Sequence, residues 1–168
     1  MNFEFSISNV KVIKMQIQID TREKQRAIAG IIKDFDMRGI KHISSKLYVG
    51  DYMDLDHPRL VIDRKQNLLE VCSNVTQQHD RFIAEIRRAN DVGIKLVILI
   101  EHGGGIKTLD DVAFWRNPRL KSSPLAVSGG RLHKILTSIK VNYNVEFLFC
   151  DKAHTAERIV EILAAGSL

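Results

Sequence analysis

Lys46-Leu47-Tyr48-Val49-Gly50-Asp51-Tyr52-Met53 and Arg59-Leu60-Val61-Ile62-Asp63-Arg64-Lys65 are the two runs that decide how this chain is read. Both are rich in Leu, Val, Ile and Tyr, as short strands are. Between them Asp54-Leu55-Asp56-His57-Pro58 carries a turn signal. A turn centred on His57 would set Asp51 directly opposite Asp63 in an antiparallel pair. Opposed residues on one face have Cβ atoms about 4.5–5.5 Å apart. Side chains alternate along a strand, so Asp63 and Lys65 share that face. Two carboxylates and an ammonium would then converge. Paired carboxylates raise one another's pKa unless a cation lies between them, and oxygen donors of this kind suit Mg²⁺ or Mn²⁺. A lysine beside such an ion can orient a water or stabilise charge on a phosphate.

Outward from these runs the chain alternates strands and helices. Residues 10–19 alternate apolar and polar side chains (Met15, Ile17 and Ile19 against Gln16 and Gln18), the pattern of a strand. Residues 22–36 place Ile28, Ile31, Ile32 and Phe35 at helical spacing, and Gly39 ends that helix. Residues 41–48 and the two strands around His57 are expected to form a meander. Further helices are expected over 66–73, 76–90, 109–115, 131–141 and 154–165, with strands over 95–100 and 145–150. Gly103-Gly104-Gly105 and the basic stretch 116–130 read as loops. This order predicts a single layered α/β domain over residues 1–168, a mixed central sheet flanked by helices.

Composition narrows the function. Lys and Arg number 25 against 20 Asp and Glu, a net charge of +5, and the sequence pI is about 9.3. That balance suits a polyanionic partner. Two cysteines, Cys72 and Cys150, form neither a disulfide framework nor a four-ligand zinc site. Their apolar settings read as buried free thiols in a reducing cytoplasm. No signal peptide is read at the N-terminus. The longest strongly apolar run, residues 96–100, is too short to span a bilayer, so no membrane partner is expected. No Ser-His-Asp order or Cys-His pair stands out. The glycine run after His102 lacks the Lys-Ser/Thr of a phosphate-binding loop and reads as a plain turn.

The charged set resembles the Asp…(Asp/Glu)-x-Lys core of restriction-endonuclease-like nucleases. More narrowly, Gly50-Asp51 followed by Asp63-Arg64-Lys65 resembles the Gly-Asp…Glu-Arg-Lys signature of the XPF-type nuclease domain. Ile19-Asp20-Thr21-Arg22-Glu23 is similar to that family's Val-Asp-x-Arg-Glu, and His79-Asp80-Arg81-Phe82 to its Asp-Gly-Arg segment. The run ending Ile100-Glu101 is similar to its strand ending in Ile-Glu. Two departures stand out: Asp63 replaces the usual Glu, and Leu69 takes the place of an acidic residue, with Glu70 beside it.

The resemblance implies a restriction-endonuclease-like fold and a metal-dependent endonuclease hydrolysing DNA phosphodiester bonds, on branched or Holliday-junction DNA, in repair or recombination. It implies catalysis by Asp51, Asp63, Lys65 and Asp20, with Mg²⁺ or Mn²⁺ held by Asp51, Asp63 and Asp20. It also implies a homodimer, for which the helices over 131–141 and 154–165 are interface material. With no helix-hairpin-helix tail or helicase motor, a free-standing resolvase of bacterial or phage origin is expected. The rival readings are an inactive DNA-binding scaffold subunit and a duplex-specific repair or restriction-like endonuclease. Retention of Asp51, Asp63 and Lys65 together argues against an inactive scaffold.

Other charges have two readings each. Asp20 and Glu23 have capping-box spacing, or join the site. Arg22 holds a phosphate or an acidic neighbour. Arg64 faces away from Asp63 and is a structural ion-pair partner or a phosphate contact. Arg81, Glu85 and Arg88 read as a solvated polar helix face, while the resemblance implies that Arg81, with Gln78 as a weaker candidate, is a phosphate or orientation residue near the site. Arg116, Arg119 and Lys121 surround a core Trp115 and are expected to face DNA. Glu70 is a candidate for the downstream acidic role.

Overall fold

The computed structural model describes residues 14–166. Six strands form one mixed sheet: β1 (Gln16–Ile19), β2 (Lys41–Ser44), β3 (Tyr52–Asp54), β4 (Leu60–Lys65), β5 (Lys95–Glu101) and β6 (Glu146–Cys150). Their order is β2-β1-β3-β4-β5-β6. β3 runs antiparallel to both β1 and β4, and the remaining neighbours are parallel. Helices cover both faces, which is why residues 96–101 of β5 are buried without alternation.

One face carries α1 (Gln25–Met37) and α5 (Thr155–Ala165), packed on Ile17, Ile19, Tyr52, Ile62, Val97 and Leu99. The other carries α2 (Leu68–Val75), α3 (His79–Asp91) and α4 (Gly129–Tyr143), packed on Val61, Leu96, Ile98 and Ile100. Strand alternation therefore sends Val61, Asp63 and Lys65 toward α2 and α3, and Ile62 and Arg64 toward α1 and α5.

Local chemistry sets the helix ends. Asn67 accepts the Glu70 N–H at 2.9 Å, while the Glu70 carboxylate accepts the Gln66 N–H at 2.8 Å. This is a capping-box arrangement displaced by one residue. Ser128 caps α4 by accepting the Arg131 N–H. Asn144 ends that helix in the left-handed conformation, φ 51°.

The layered fold and nearly all the expected elements are present, with three differences. The expected meander is absent: β2 pairs parallel with β1 at the sheet edge, so only β3 and β4 form a hairpin. Residues 46–51, read as strand, are a loop, because Gly50 takes φ 66° and breaks the extended run. The expected helix over 109–115 is a 3-10 turn, Asp110–Phe114, and a second one, Pro118–Lys121, lies within the basic loop. Residues 10–13 of the first strand reading lie outside the described residues. Cys72 and Cys150 are both free thiols, the first buried and the second half-buried. No helix among the described residues is long and apolar enough to cross a membrane.

Gly50 is required on two counts. A Cβ there would lie 2.6 Å from Val61 Cγ1 and 3.0 Å from the Ile62 carbonyl oxygen. Its left-handed backbone also disfavours any L side chain. Gly50→Ala is expected to cost about 1–3 kcal/mol, read as a lowered urea midpoint. An unchanged midpoint would remove this account of the loop.

Candidate active site

The Asp51–Asp63–Lys65 cluster sits where the hairpin opens, away from its turn. The turn is held by Asp54, which accepts the Asp56 N–H at 3.2 Å and lies 2.9 Å from His57 Nδ1. Tyr52 pairs with Ile62 and Met53 with Val61. One step further along this ladder Asp51 stands level with Asp63, the register a turn centred on His57 predicts. The Asp51 N–H donates to the Ile62 carbonyl at 2.7 Å, and its Oδ2 accepts the Arg64 N–H at 2.8 Å. Lys65 Nζ lies 2.9 Å from Asp63 Oδ2 and 5.8 Å from the centre of the Phe82 ring.

The electrostatics follow from crowding. Burial, reinforced by the charges of Asp63 and Glu23, pushes the Asp51 carboxyl well above the ordinary carboxylate range, against the pull of the Arg64 N–H and Lys65. Burial alone would lower Lys65. Asp63, with Asp51 and Glu70 behind it, more than reverses that and keeps the side chain an ammonium. Asp63 Oδ2 is buried and, beyond its ion pair with Lys65, accepts no hydrogen bond.

Among the described residues no three His, Cys, Asp or Glu side chains cluster to enclose a metal. The available donor set is the Asp51–Asp63 pair. It fits Mg²⁺, which is held by one or two carboxylates and completes its octahedron with water and substrate phosphate. A divalent cation there would give Asp63 Oδ2 a second partner beside Lys65 and offset the burial and charge repulsion that raise Asp51.

Asp20 does not complete a third carboxylate position. Its Oδ1 accepts the backbone N–H of Arg22 at 2.8 Å and the Arg22 Nε–H at 2.6 Å, and its Oδ2 accepts the Leu47 N–H at 2.6 Å. Burial raises its pKa, but these donors outweigh burial and hold it ionised. Asp20 instead braces the loop that leads to Gly50. Arg22 remains half-exposed, with Nη2 3.4 Å from the Gly50 carbonyl oxygen.

The capping box at α1 is also absent. Lys24 occupies the cap position with no side-chain bond. Glu23 Oε2 accepts from Arg64 Nη2 at 2.7 Å, Arg64 Nε at 3.1 Å and the Tyr52 hydroxyl at 3.1 Å. On the other side Glu101 Oε1 accepts from Arg64 Nη1 at 3.1 Å and the Thr155 hydroxyl at 2.9 Å. Arg64 is thus 5% exposed and tied to two carboxylates, buried Glu101 and part-buried Glu23. Of its two sequence readings the structural ion pair holds, and the phosphate contact is ruled out by burial.

The remaining candidates lie on other elements. Glu70 belongs to the α2 cap, near enough for its charge to act on Lys65. Arg81 is exposed on α3; Gln78, also exposed, precedes that helix without a capping bond. Arg116, Arg119 and Lys121 are exposed on a loop over the same sheet face as the pair, beside buried Trp115. Buried Asn117 shapes that loop through the Arg119 N–H and the Val127 carbonyl. His102 is half-buried with its pKa lowered by burial, edge-on to Trp115 at 6.0 Å. Sequence reasoning placed Glu85 on a polar helix face but missed its role, Oε1 accepting the Gly50 N–H at 3.1 Å, and it missed the Tyr52–Glu23 bond. Both contacts join distant segments, and no local signal marks them.

A mixed sheet between helical layers, with paired carboxylates and a lysine at an opened hairpin, defines a restriction-endonuclease-like nuclease domain. The sequence matches the ERCC4 domain over residues 19–162, and the chain belongs to that family of XPF-type nuclease domains. Its fold is similar to that of XPF from Aeropyrum pernix, at 16% identity and TM-score 0.64, covering 90% of this chain and 65% of that one. It is equally similar to XPF from Aeropyrum pernix in complex with DNA, at 15% identity and TM-score 0.65, covering 92% and 66%. This chain therefore spans about two thirds of the length of those solved chains. No curated protein matches its sequence.

The raised pKa of Asp51 has a consequence for stability. The folded protein retains the Asp51 proton to higher pH than the unfolded chain, whose aspartates titrate near pH 3.9. Raising the pH above that value therefore removes stability from the metal-free protein. Asp51→Asn keeps an acceptor for the Arg64 N–H and has nothing to ionise. In EDTA the variant is expected to unfold at a higher temperature than wild type near neutrality, with the gap closing toward about pH 4. A wild type more stable than the variant at neutral pH would contradict the electrostatic account.

Proposed function

We propose that this domain is a metal-dependent DNA endonuclease that hydrolyses phosphodiester bonds, with branched or Holliday-junction DNA as its preferred substrate and the cytoplasm as its place of action. The observation that carries the reading is the juxtaposition of the Asp51 and Asp63 carboxylates across the hairpin with the ammonium of Lys65, 2.9 Å from Asp63 Oδ2. Asp51 and Asp63 are the residues that would hold Mg²⁺ or Mn²⁺. When bound, the ion would supply Lewis-acid stabilisation of the phosphoryl oxygens and acidify a coordinated water.

The protein's own contributions follow from its geometry. Lys65 is kept cationic, so it acts as a hydrogen-bond donor to a non-bridging phosphate oxygen or to the attacking water, and not as a base. Asp63 fixes the lysine head at 2.9 Å. Phe82 walls the other side of Lys65. The water oxygen bonds to phosphorus and gives up a proton to solvent, the ester bond to one flanking sugar breaks, and the departing oxygen takes up a proton in its place. Exposed Arg22 and Arg81, together with Arg116, Arg119 and Lys121 on the basic loop, are the proposed backbone contacts. Asp20 is a positioning residue in this scheme.

Labelled four-way junction, flap and plain duplex DNA should be incubated with wild type, Asp51→Asn and Lys65→Met, in Mg²⁺, Mn²⁺ or EDTA. Metal-dependent cutting that favours branched DNA is expected. Lys65→Met should lower kcat by roughly 10²–10³-fold. Mn²⁺ at 100 times its Kd should stabilise wild type by about 2.7 kcal/mol, and Asp51→Asn much less. Tight binding without cutting under any metal would move the reading to a scaffold subunit. Sequence-fixed cuts in plain duplex would favour a restriction-like enzyme.

The proposed homodimer rests on α4. Its Val141 is 77% exposed, whereas the apolar face of α5 is used within the domain, through Ala156, Ile159, Val160, Ile162 and Leu163. Sedimentation equilibrium should find a wild-type dimer that Val141→Glu weakens. Monomer in both samples would remove the dimer.

A further inference from the structure

The catalytic scheme leaves Tyr48 unused, although it lies only three residues before Asp51. Its two neighbours point inward, Leu47 and Val49 being 5% and 1% exposed, while Tyr48 itself is 59% exposed. Loops normally show mobile, polar tips. This one presents a large aromatic ring, and on both sides of the ring the backbone is fastened. The Leu47 N–H is held by buried Asp20, and the Gly50 N–H by Glu85. Arg22 reaches the Gly50 carbonyl. From α3, Arg88 places its guanidinium 5.7 Å from the ring centre, and Glu85 lies 4.0 Å from that guanidinium. The same carboxylate therefore restrains both the loop and the cation beside the ring.

We propose that Tyr48, backed by Arg88, is a stacking platform for an unpaired nucleobase beside the scissile phosphate. The inference deepens the nuclease reading and rests on it for the identity of the ligand. An exposed ring backed by a guanidinium is a surface that single-stranded nucleic acid selects, since every base has a π-face and cations track its phosphates. A base inside an intact duplex has no free face to offer. Three residues of chain span at most about 11 Å, so the base held is within a few nucleotides of the phosphate at Asp51 and Asp63. The platform would thus favour DNA opened next to the cut, whatever its sequence.

Binding in EDTA isolates this step from catalysis. Fluorescence titration of wild type, Tyr48→Ala and Tyr48→Phe should use two probes of equal length, a 2-aminopurine-labelled flap and a fully paired duplex. Tyr48→Ala is expected to weaken flap binding by roughly 5- to 100-fold and to abolish the change in 2-aminopurine emission. Duplex affinity should stay within about twofold, and Tyr48→Phe should match wild type. An equal loss on both probes would mean a general electrostatic or structural effect and would overturn the proposal. So would unchanged flap binding by Tyr48→Ala, or a Tyr48→Phe variant as weak as Tyr48→Ala. The test needs no cleavage. A protein that stacks the probe but never cuts would retain the platform and lose the nuclease reading.

Discussion

The rest of the site depends on one buried charge, the guanidinium of Arg64 between Glu23 and Glu101. It joins four segments: the turn after β1, strand β4, the end of β5 and, through Thr155, the start of α5. A buried ion pair gains little over apolar packing, but removing one partner typically costs about 3–5 kcal/mol because a charge is left unpaired. Here two carboxylates share the cation, and the Tyr52 hydroxyl also donates to Glu23. The network makes register expensive to change. Slipping β4 by one residue would turn Arg64 toward α2 and send Asp63 and Lys65 into the α1–α5 layer. The face that carries Asp51, Asp63 and Lys65 is thus fixed by an interaction on the opposite face.

Gly50 is the second constraint. Its left-handed φ ends the loop and starts the hairpin, and its N–H and carbonyl are both engaged, by Glu85 and Arg22. Asp20 reinforces the same loop through Leu47. The acidic and basic residues around the centre consequently divide into two kinds. Asp51, Asp63 and Lys65 face one another, whereas Asp20, Glu23, Arg64 and Glu85 hold the backbone that aims them.

Much of this was legible in the sequence because it is local. The five-residue turn fixed the Asp51–Asp63 register, strand alternation put Lys65 with Asp63, and helical periodicity found α1 and α3. What escaped was non-local. Residues 46–49 alternate like a strand, and only Asp20 and Glu85, distant in sequence, reveal why they form a braced loop. Glu23 has the spacing of a helix cap, yet Arg64, 41 positions away, is the stronger partner. β2 looks like the next strand of a meander, but the helix between it and β1 lets it return parallel. Asp20 sat at the expected strand end with both oxygens already taken, a matter of tertiary donors that spacing does not record.

The electrostatic design explains why such a cluster is tolerable. Burial and neighbouring charges raise the Asp51 carboxyl, and buried Asp63 Oδ2 has, among the described residues, no polar partner beyond Lys65. Both are costs of folding that apolar side chains would avoid. They are contained because the alternation of β4 places the compensating Arg64 network one peptide away. The Arg64 N–H also binds Asp51 directly, so one residue supports the strained carboxylate with its backbone and anchors the strand with its side chain. The fold thus sets the crowded Asp51–Asp63–Lys65 face back to back with the Arg64 ion-pair network that anchors the same strand.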